Sequence, residues 1–325
     1  MRNENERIVL AADIGGSRAR LLLARARQGQ WQAERRHEAR CADYAGFEAL
    51  LEDFLADAAA PVAACLAIAG PVKGRRIRMT NLPWVVDADA LTARFGIAQV
   101  RLINDFAAQA HGLADLAADG LVVLQAGEPQ PEGVRALIGP GTGLGMAALV
   151  GALDDPRVLP SQGGLADFAP RDARQLALAG ALLAHHGRVS SETLLCGRGI
   201  ERLYRFVAGL PPDAALTLDA PAIGAAALAG EARAAEALRL FATLLAQAAA
   251  NVALTLLPRG GIYISGGIAP RVLPFLLAPE VVEVFRDHPE MGEVLARIPL
   301  YVVRDDALGL KGAARIAAGM ARDER

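Results

Sequence analysis

Short apolar runs that break abruptly at glycine set the rhythm of this chain. Ile8 to Ala12, Ala136 to Ile138 and Ile262 to Ile264 contain no polar residue. Such short runs, bounded by turn signals, predict buried strands. Each ends in a glycine-rich turn: Asp13-Ile-Gly-Gly-Ser-Arg18, Gly139-Pro-Gly-Thr-Gly-Leu-Gly145 and Ser265-Gly-Gly-Ile268. Elsewhere the apolar positions recur at helical spacing. Phe47, Leu50, Leu51, Phe54 and Leu55 predict a helix over 47–58 with one face turned to a core. A second helix is expected over 172–186, stopping at His185-His186 before Gly187. Residues 240–258 carry no charge, and Glu231 to Arg239 leads into them helically. Gln247, Asn251, two threonines and many alanines make this a buried central helix rather than a membrane span, which needs about 20 strongly apolar residues. A last helix is expected over 310–321. Strands and helices alternate, so the class is α/β.

The turns carry the chemistry. Glycines let main-chain N–H groups approach an anion without a Cβ in the way, and a nest of such groups holds phosphate. Asp13 ends the first strand, where it could support hydrated Mg²⁺ beside phosphates. Asp105 ends the run Val100-Arg-Leu-Ile103, where it could take a proton from an attacking hydroxyl. Either carboxylate alone would read as a turn former or helix cap; three glycine turns with two carboxylates shift the weight to phosphoryl transfer. Other nucleotide signatures fail. Lys73 and Lys311 are the chain's only lysines, and neither sits in a P-loop. The dinucleotide pattern meets Leu144 from Gly139 and Met146 from Gly141 where glycine is required. No nucleophile elbow is present.

Composition narrows the setting. At 325 residues the chain exceeds what one core usually supports, so two lobes are expected. A formal net charge of −2 gives no basic footprint and argues against nucleic acid as a partner. Arg18, Arg20, Arg25 and Arg27, and Arg75, Arg76 and Arg78, read as solvated strand or hairpin faces. Cys41, Cys65 and Cys196 are odd in number and widely spaced, which fits reduced thiols. The polar segment Met1 to Arg7 has no apolar stretch of the signal-peptide kind, so a cytoplasmic location without membrane contact is expected.

Taken together, these motifs resemble those of the bacterial glucokinases, within the larger group of sugar kinases and actin-like ATPases. Asp13 to Arg18 matches the first phosphate motif, with Ser17 where threonine is usual. Gly141-Thr-Gly-Leu-Gly145 matches the second phosphate motif, Ser265-Gly-Gly-Ile268 the adenosine motif, and Asn104-Asp105-Phe106 the catalytic segment. Leu66-Ala-Ile-Ala-Gly-Pro71, Met79-Thr-Asn-Leu-Pro-Trp84, Gly163-Gly164, Asp167-Phe-Ala-Pro170 and Leu308-Gly-Leu-Lys-Gly312 also fit. The resemblance implies a two-lobed actin-like (ribonuclease H-like) ATPase fold with an active-site cleft between the lobes. The small lobe would be 1–113 plus 306–325, and the large lobe 114–305. Gly309 and Gly312 would lie near the crossing between lobes.

It also implies an ATP-dependent hexose kinase, most simply one acting on glucose, with Mg²⁺. Asp105 would be the general base. Sugar would be held by Asn81, Asn104, Asp105, Gln162 and Glu192, and ATP by Asp13, Gly15, Gly16, Ser17, Arg18, Gly141, Thr142, Gly143, Gly266 and Gly267. A homodimer is the family expectation. One segment departs from the pattern: Gln162 and Leu165 replace the glutamate and histidine that bond sugar hydroxyls in the family. A relaxed glucose site, a site for another hexose or modified sugar, and a non-catalytic sensor of sugar or ATP are the readings this leaves.

Overall fold

The first apolar run folds as β1 (Arg7–Ile14), bends at its glycine turn into β2 (Arg18–Arg27), and continues into β3 (Gln30–Arg40). Helix α1 (Phe47–Leu55) leads to β4 (Ala63–Ile68). A small hairpin, β5 (Arg76–Arg78) and β6 (Val85–Asp87), and α2 (Ala88–Phe95) lead to β7 (Gln99–Asn104) and α3 (Asp105–Gly112). The computed structural model describes residues 6–70, 72–79, 82–153 and 156–322. It divides into two compact units. One takes in the chain as far as Leu116, Leu153–Val158, and the segment from Ala307 onward; the other comprises Ala117–Ala152 and Leu159–Asp306.

In the first unit the sheet order is β3-β2-β1-β4-β7. β1 is antiparallel to β2 and parallel to β4, which is parallel to β7. Both faces are covered, which is why the strands read as unbroken apolar runs. Leu10, Ala12 and Ile14 pack with Phe47, Leu50 and Leu51 of α1 on one face. Val9 and Ala11 pack on the other face with Leu310, Ala313, Ala314 and Ala317 of the C-terminal helix α12 (Leu308–Met320). This helix crosses α3 closely. A Cβ on Gly312 would overlap the Ala108 carbonyl oxygen, and one on Gly112 the Leu308 carbonyl oxygen. Both close approaches lie inside the first unit, where only hydrogen fits. The outermost strand, β3, is exposed along nearly its whole length. Its charges (Glu34, Arg35, Arg36, Glu38) suit an open sheet edge.

The second unit contains β8 (Leu121–Gln125), β9 (Arg135–Pro140), β10 (Leu144–Val150) and β11 (Arg157–Ser161). Helices α4 (Ala173–His186), α5 (Ser191–Leu194), α6 (Gly197–Val207), α7 (Ala220–Leu228) and α8 (Ala232–Leu256) follow. Then come β12 (Gly261–Ile264), short helices α9 (Leu273–Leu276), α10 (Pro279–Arg286) and α11 (Gly292–Ala296), and β13 (Leu300–Val303). The sheet order is β11-β10-β9-β12-β13-β8. β9 is antiparallel to β10 and parallel to β12, and β12 is parallel to β13. Each sheet thus has at its centre the strand that precedes a phosphate-type turn. Its hairpin partner flanks it on one side and two parallel strands on the other. Helix α8 is long and apolar enough to cross a membrane, yet two thirds of its apolar window is buried within the protein. Leu238, Phe241, Leu245 and Ala249 on it are fully buried in the core of the second unit.

Candidate functional site

In the first unit the parallel register brings the chemistry to one end of the sheet. Ile14 on β1 lies level with Ile68 on β4, and Ile68 level with Asn104 on β7. Asp13 and Asp105 are therefore both at the carboxyl ends of parallel strands, where open α/β sheets bind ligands. Asn104 caps α3: its Oδ1 accepts from Phe106 N at 3.0 Å and Ala107 N at 3.2 Å. Its Nδ2 donates to Gly70 O at 3.0 Å and to Asp105 Oδ1 at 2.8 Å. All four hydrogen-bonding positions of this amide are taken, so Asn104 holds Asp105 in place. Burial, and then the charge of Asp13, push the Asp105 carboxyl up to about 6 from its ordinary 3.8. Hydrogen bonds from Phe106 N–H and Asn104 pull the other way. The result is a carboxylate at neutral pH that accepts a proton more readily than an ordinary one.

The first glycine turn is braced from behind. Gly15 N–H donates to Arg18 O at 2.9 Å, and Cys41 N–H to Ser17 O at 2.9 Å. The Cys41 thiol donates to Gly15 O at 3.7 Å. The residues around Cys41, His37 to Tyr44, are mostly polar and give no local signal of this contact. The Arg18 guanidinium pairs with Glu38 at 2.6 Å, and Arg20 pairs with the same carboxylate at 3.1 Å. These hydrogen bonds, Arg18 first, hold the Glu38 carboxyl below its usual range. The Arg18 side chain is thus engaged with Glu38 on an exposed strand face. At the start of α12, the Cβ position of Gly309 stands 3.1 Å from Asp13 Oδ2. Among the described residues no group of three or more histidine, cysteine or acidic side chains is arranged to hold a metal. The strand-end carboxylate of Asp13 suits an ion that keeps its waters and binds chiefly through phosphates, as Mg²⁺ does.

In the second unit three separate segments converge. Ile264 on β12 lies level with Ile138 on β9. The adenosine-type turn therefore abuts the second phosphate-type turn: Ser265 N–H donates to Ile138 O at 2.9 Å, and Ile268 N–H to Pro140 O at 3.2 Å. Gly141, Thr142 and Gly143 form the bend between β9 and β10, closed by Gly141 N–H to Gly143 O at 2.8 Å. The segments that carry Gln162 and Glu192, 30 positions apart, are joined by Phe168 N–H to Val189 O at 3.0 Å and Ser191 N–H to Ala166 O at 2.9 Å. Glu192 then reaches the turn itself, its Oε2 accepting from Leu144 N–H at 2.8 Å. Gln162 is exposed, and Leu165 keeps half its surface in solvent. Gly266 and Gly267 lie in the turn after β12, whereas Asn81 lies outside the described residues.

Comparison with known proteins agrees with this geometry. The Glucokinase family matches residues 10–320. A glucokinase of Sinorhizobium medicae is 36% identical over 95% of this chain and 91% of its own length. That of Chromohalobacter salexigens is 38% identical over 94% and 96%. Among solved structures, a glucokinase from an Antarctic psychrotroph superposes with a TM-score of 0.85 at 34% identity, covering 96% of this chain and 99% of that one. With the family matched from β1 through α12, and its turns and strand-end carboxylates built as described, this chain belongs to the glucokinase family.

Proposed function

We propose that this chain is an ATP-dependent hexose kinase that transfers the γ-phosphoryl group of ATP to a primary hydroxyl, with glucose as the first candidate substrate. The observation that carries the reading is the partly buried pair of strand-end carboxylates, Asp105 raised to about 6 by desolvation and then by Asp13. For the architecture we extend the same reading to a two-lobed actin-like (ribonuclease H-like) ATPase fold. The strand order shared by both sheets supports it. As functional lobes we propose 1–113 plus 306–325, and 114–305.

Each residue then has a task. Asp105, oriented by Asn104, accepts the proton of the attacking hydroxyl as the phosphoryl group departs; one positioned base of this kind contributes about 10²–10⁴ in rate. Gly15-Gly16-Ser17 and Gly141-Thr142-Gly143 cradle phosphate oxygens through the N–H groups of Gly16, Ser17, Thr142 and Gly143, while those of Gly15 and Gly141 close the turns, and Gly266-Gly267 supports the adenosine. Asp13 would hold Mg²⁺, which supplies neutralisation of phosphate charge when bound. Glu192 and Gln162, with Asn81, orient the sugar. Exclusion of water from the loaded site prevents hydrolysis of ATP.

A second reading, another hexose or a modified sugar, is favoured by one observation. Leu165 offers an apolar, half-exposed side chain beside Gln162. Coupled ADP release with Mg-ATP, run against glucose, mannose, fructose, glucosamine and N-acetylated hexosamines, decides between the two. Sub-millimolar turnover on glucose supports the first. Turnover confined to another sugar supports the second. Binding without ADP release on any sugar would sink both in favour of a sensor.

A further inference from the structure

We infer that Glu192 is a strut between the sugar side and the phosphate side of the second unit, so that each ligand's affinity depends on the other's. This rests on the kinase reading above, in which Glu192 contacts sugar and Gly141–Gly143 contacts phosphate.

Two observations lock the carboxylate to the turn. Oε2 accepts from the Leu144 main-chain N–H at 2.8 Å, a charge-assisted bond about twice as strong as a neutral one. Gly143 also leaves room for the same carboxyl group. A Cβ there would stand 2.5 Å from Glu192 Oε2 and 3.0 Å from the carboxyl carbon. The clearance that Gly143 provides therefore serves Glu192, a sugar-side group, as well as a phosphate. The turn is pinned a second time by the start of α6, where Gly197 N–H donates to Gly141 O at 3.0 Å. Two of its anchors thus come from α6 and from the Glu192 side chain.

The coupling follows from this geometry. With Oε2 committed to Leu144, Oε1 is the oxygen left for a sugar hydroxyl. A hydroxyl on Oε1 fixes the side-chain rotamer and, through Oε2, the backbone of the phosphate turn. Nucleotide arriving at the ordered turn no longer bears that ordering entropy. Linkage makes the effect reciprocal. Glu192 is in this sense a positioning residue for phosphate as well as a contact for sugar.

The test crosses the two sides, using calorimetry on the full chain. The probes are the β,γ-imido analogue of ATP with Mg²⁺, and whichever sugar gives most ADP in the panel. Wild type is expected to bind the analogue about fivefold or more tightly when saturated with sugar. Glu192→Ala, a truncation with no steric load, is expected to weaken the analogue several-fold with no sugar present. Gly143→Ala is expected to raise the sugar dissociation constant about tenfold with no nucleotide present. Unchanged analogue affinity in Glu192→Ala, or unchanged sugar affinity in Gly143→Ala, would overturn the strut. The Glu192→Ala measurement needs neither sugar nor turnover, so the strut can fail while the kinase reading stands, and the reverse.

Discussion

Asn104 Nδ2 donates to Asp105 Oδ1 at 2.8 Å while Asn104 Oδ1 caps the helix that Asp105 begins. One side chain therefore starts α3 and aims its first residue. Asn104→Ala is expected to cost about 1–2 kcal/mol of stability through the lost cap. It should also lower kcat by one to two orders of magnitude, because Asp105 is free to turn away from the sugar. The KM for ATP should hardly move. Urea unfolding and steady-state kinetics on the same preparation check both parts.

Asp105→Asn is expected to abolish turnover, by at least about 10³-fold, yet to stabilise the protein at pH 8. The fold raises this carboxyl from 3.8 to about 6, so the folded state favours the protonated form. The stability it contributes is fully present below pH 3.8 and is lost as pH rises through about 6. At pH 8 the buried charge then costs up to about 3 kcal/mol, at about 1.4 kcal/mol per pKa unit. A neutral amide removes that cost and still accepts from Asn104. Unfolding midpoints of wild type and variant should therefore diverge at pH 8 and converge near pH 4.

Gln162→Glu with Leu165→His is expected to tighten glucose binding by one to two orders of magnitude. Each restored partner for a buried hydroxyl is worth about 1–3 kcal/mol. The backbone already fits: Leu165 N–H donates to Gln162 O at 3.0 Å in a 3₁₀ turn that neither side chain builds. Glucose titration followed by calorimetry reads the result. An unchanged affinity would mean that this turn does not meet the sugar.

The three cysteines are free and buried, and burial raises each thiol, Cys65 to about 12. At pH 8 none should react with a thiol-specific disulfide reagent on the minute timescale, because the thiolate is the reactive form. All three should react in denaturant. Cys41→Val is expected to raise the KM for ATP more than that for sugar, since it removes the thiol behind Gly15 and adds bulk there.

Gly312→Ala is expected to destabilise by about 1–3 kcal/mol or more, because the added methyl meets the Ala108 carbonyl oxygen where α12 crosses α3. Gly319→Ala, in the same helix with open space at its Cβ position, is the matched control and should be neutral or slightly stabilising.

Much of the fold and site was legible in the chain, for local reasons. Val9 to Ala12 are buried on both faces of their sheet, so they show as an unbroken apolar run. Phe47, Leu50, Leu51 and Phe54 face one core, so they recur at helical spacing. Asp172 and Gly187 close α4 at both ends because a side-chain cap and a left-handed residue are demanded there. The expected helix at 47–58 ends three residues early, at Leu55, where the apolar stripe that stabilises it ends.

Other features carry no local signal. The kinship of the two sheets lies in strand order, and no residue identity records it. Side-chain period specifies which face of a strand is buried, but not which strand becomes its neighbour. Leu153–Val158 clusters with the first unit, partly through Arg315 Nη2 donating to Leu153 O at 3.3 Å across 162 positions.

By itself, then, the sequence determined the three glycine turns, the strands before them, the carboxylates at the strand ends and the family. Each is a property of a few adjacent residues whose backbone and side-chain chemistry acts locally. Tertiary structure decided what those residues do to one another. Burial and Asp13 raise the Asp105 carboxyl, Cys41 braces Gly15, and Glu192 grasps Leu144 because strand register and helix packing bring distant segments together. Hydrogen-bond strength and electrostatics depend on that separation in space, which spacing along the chain does not encode.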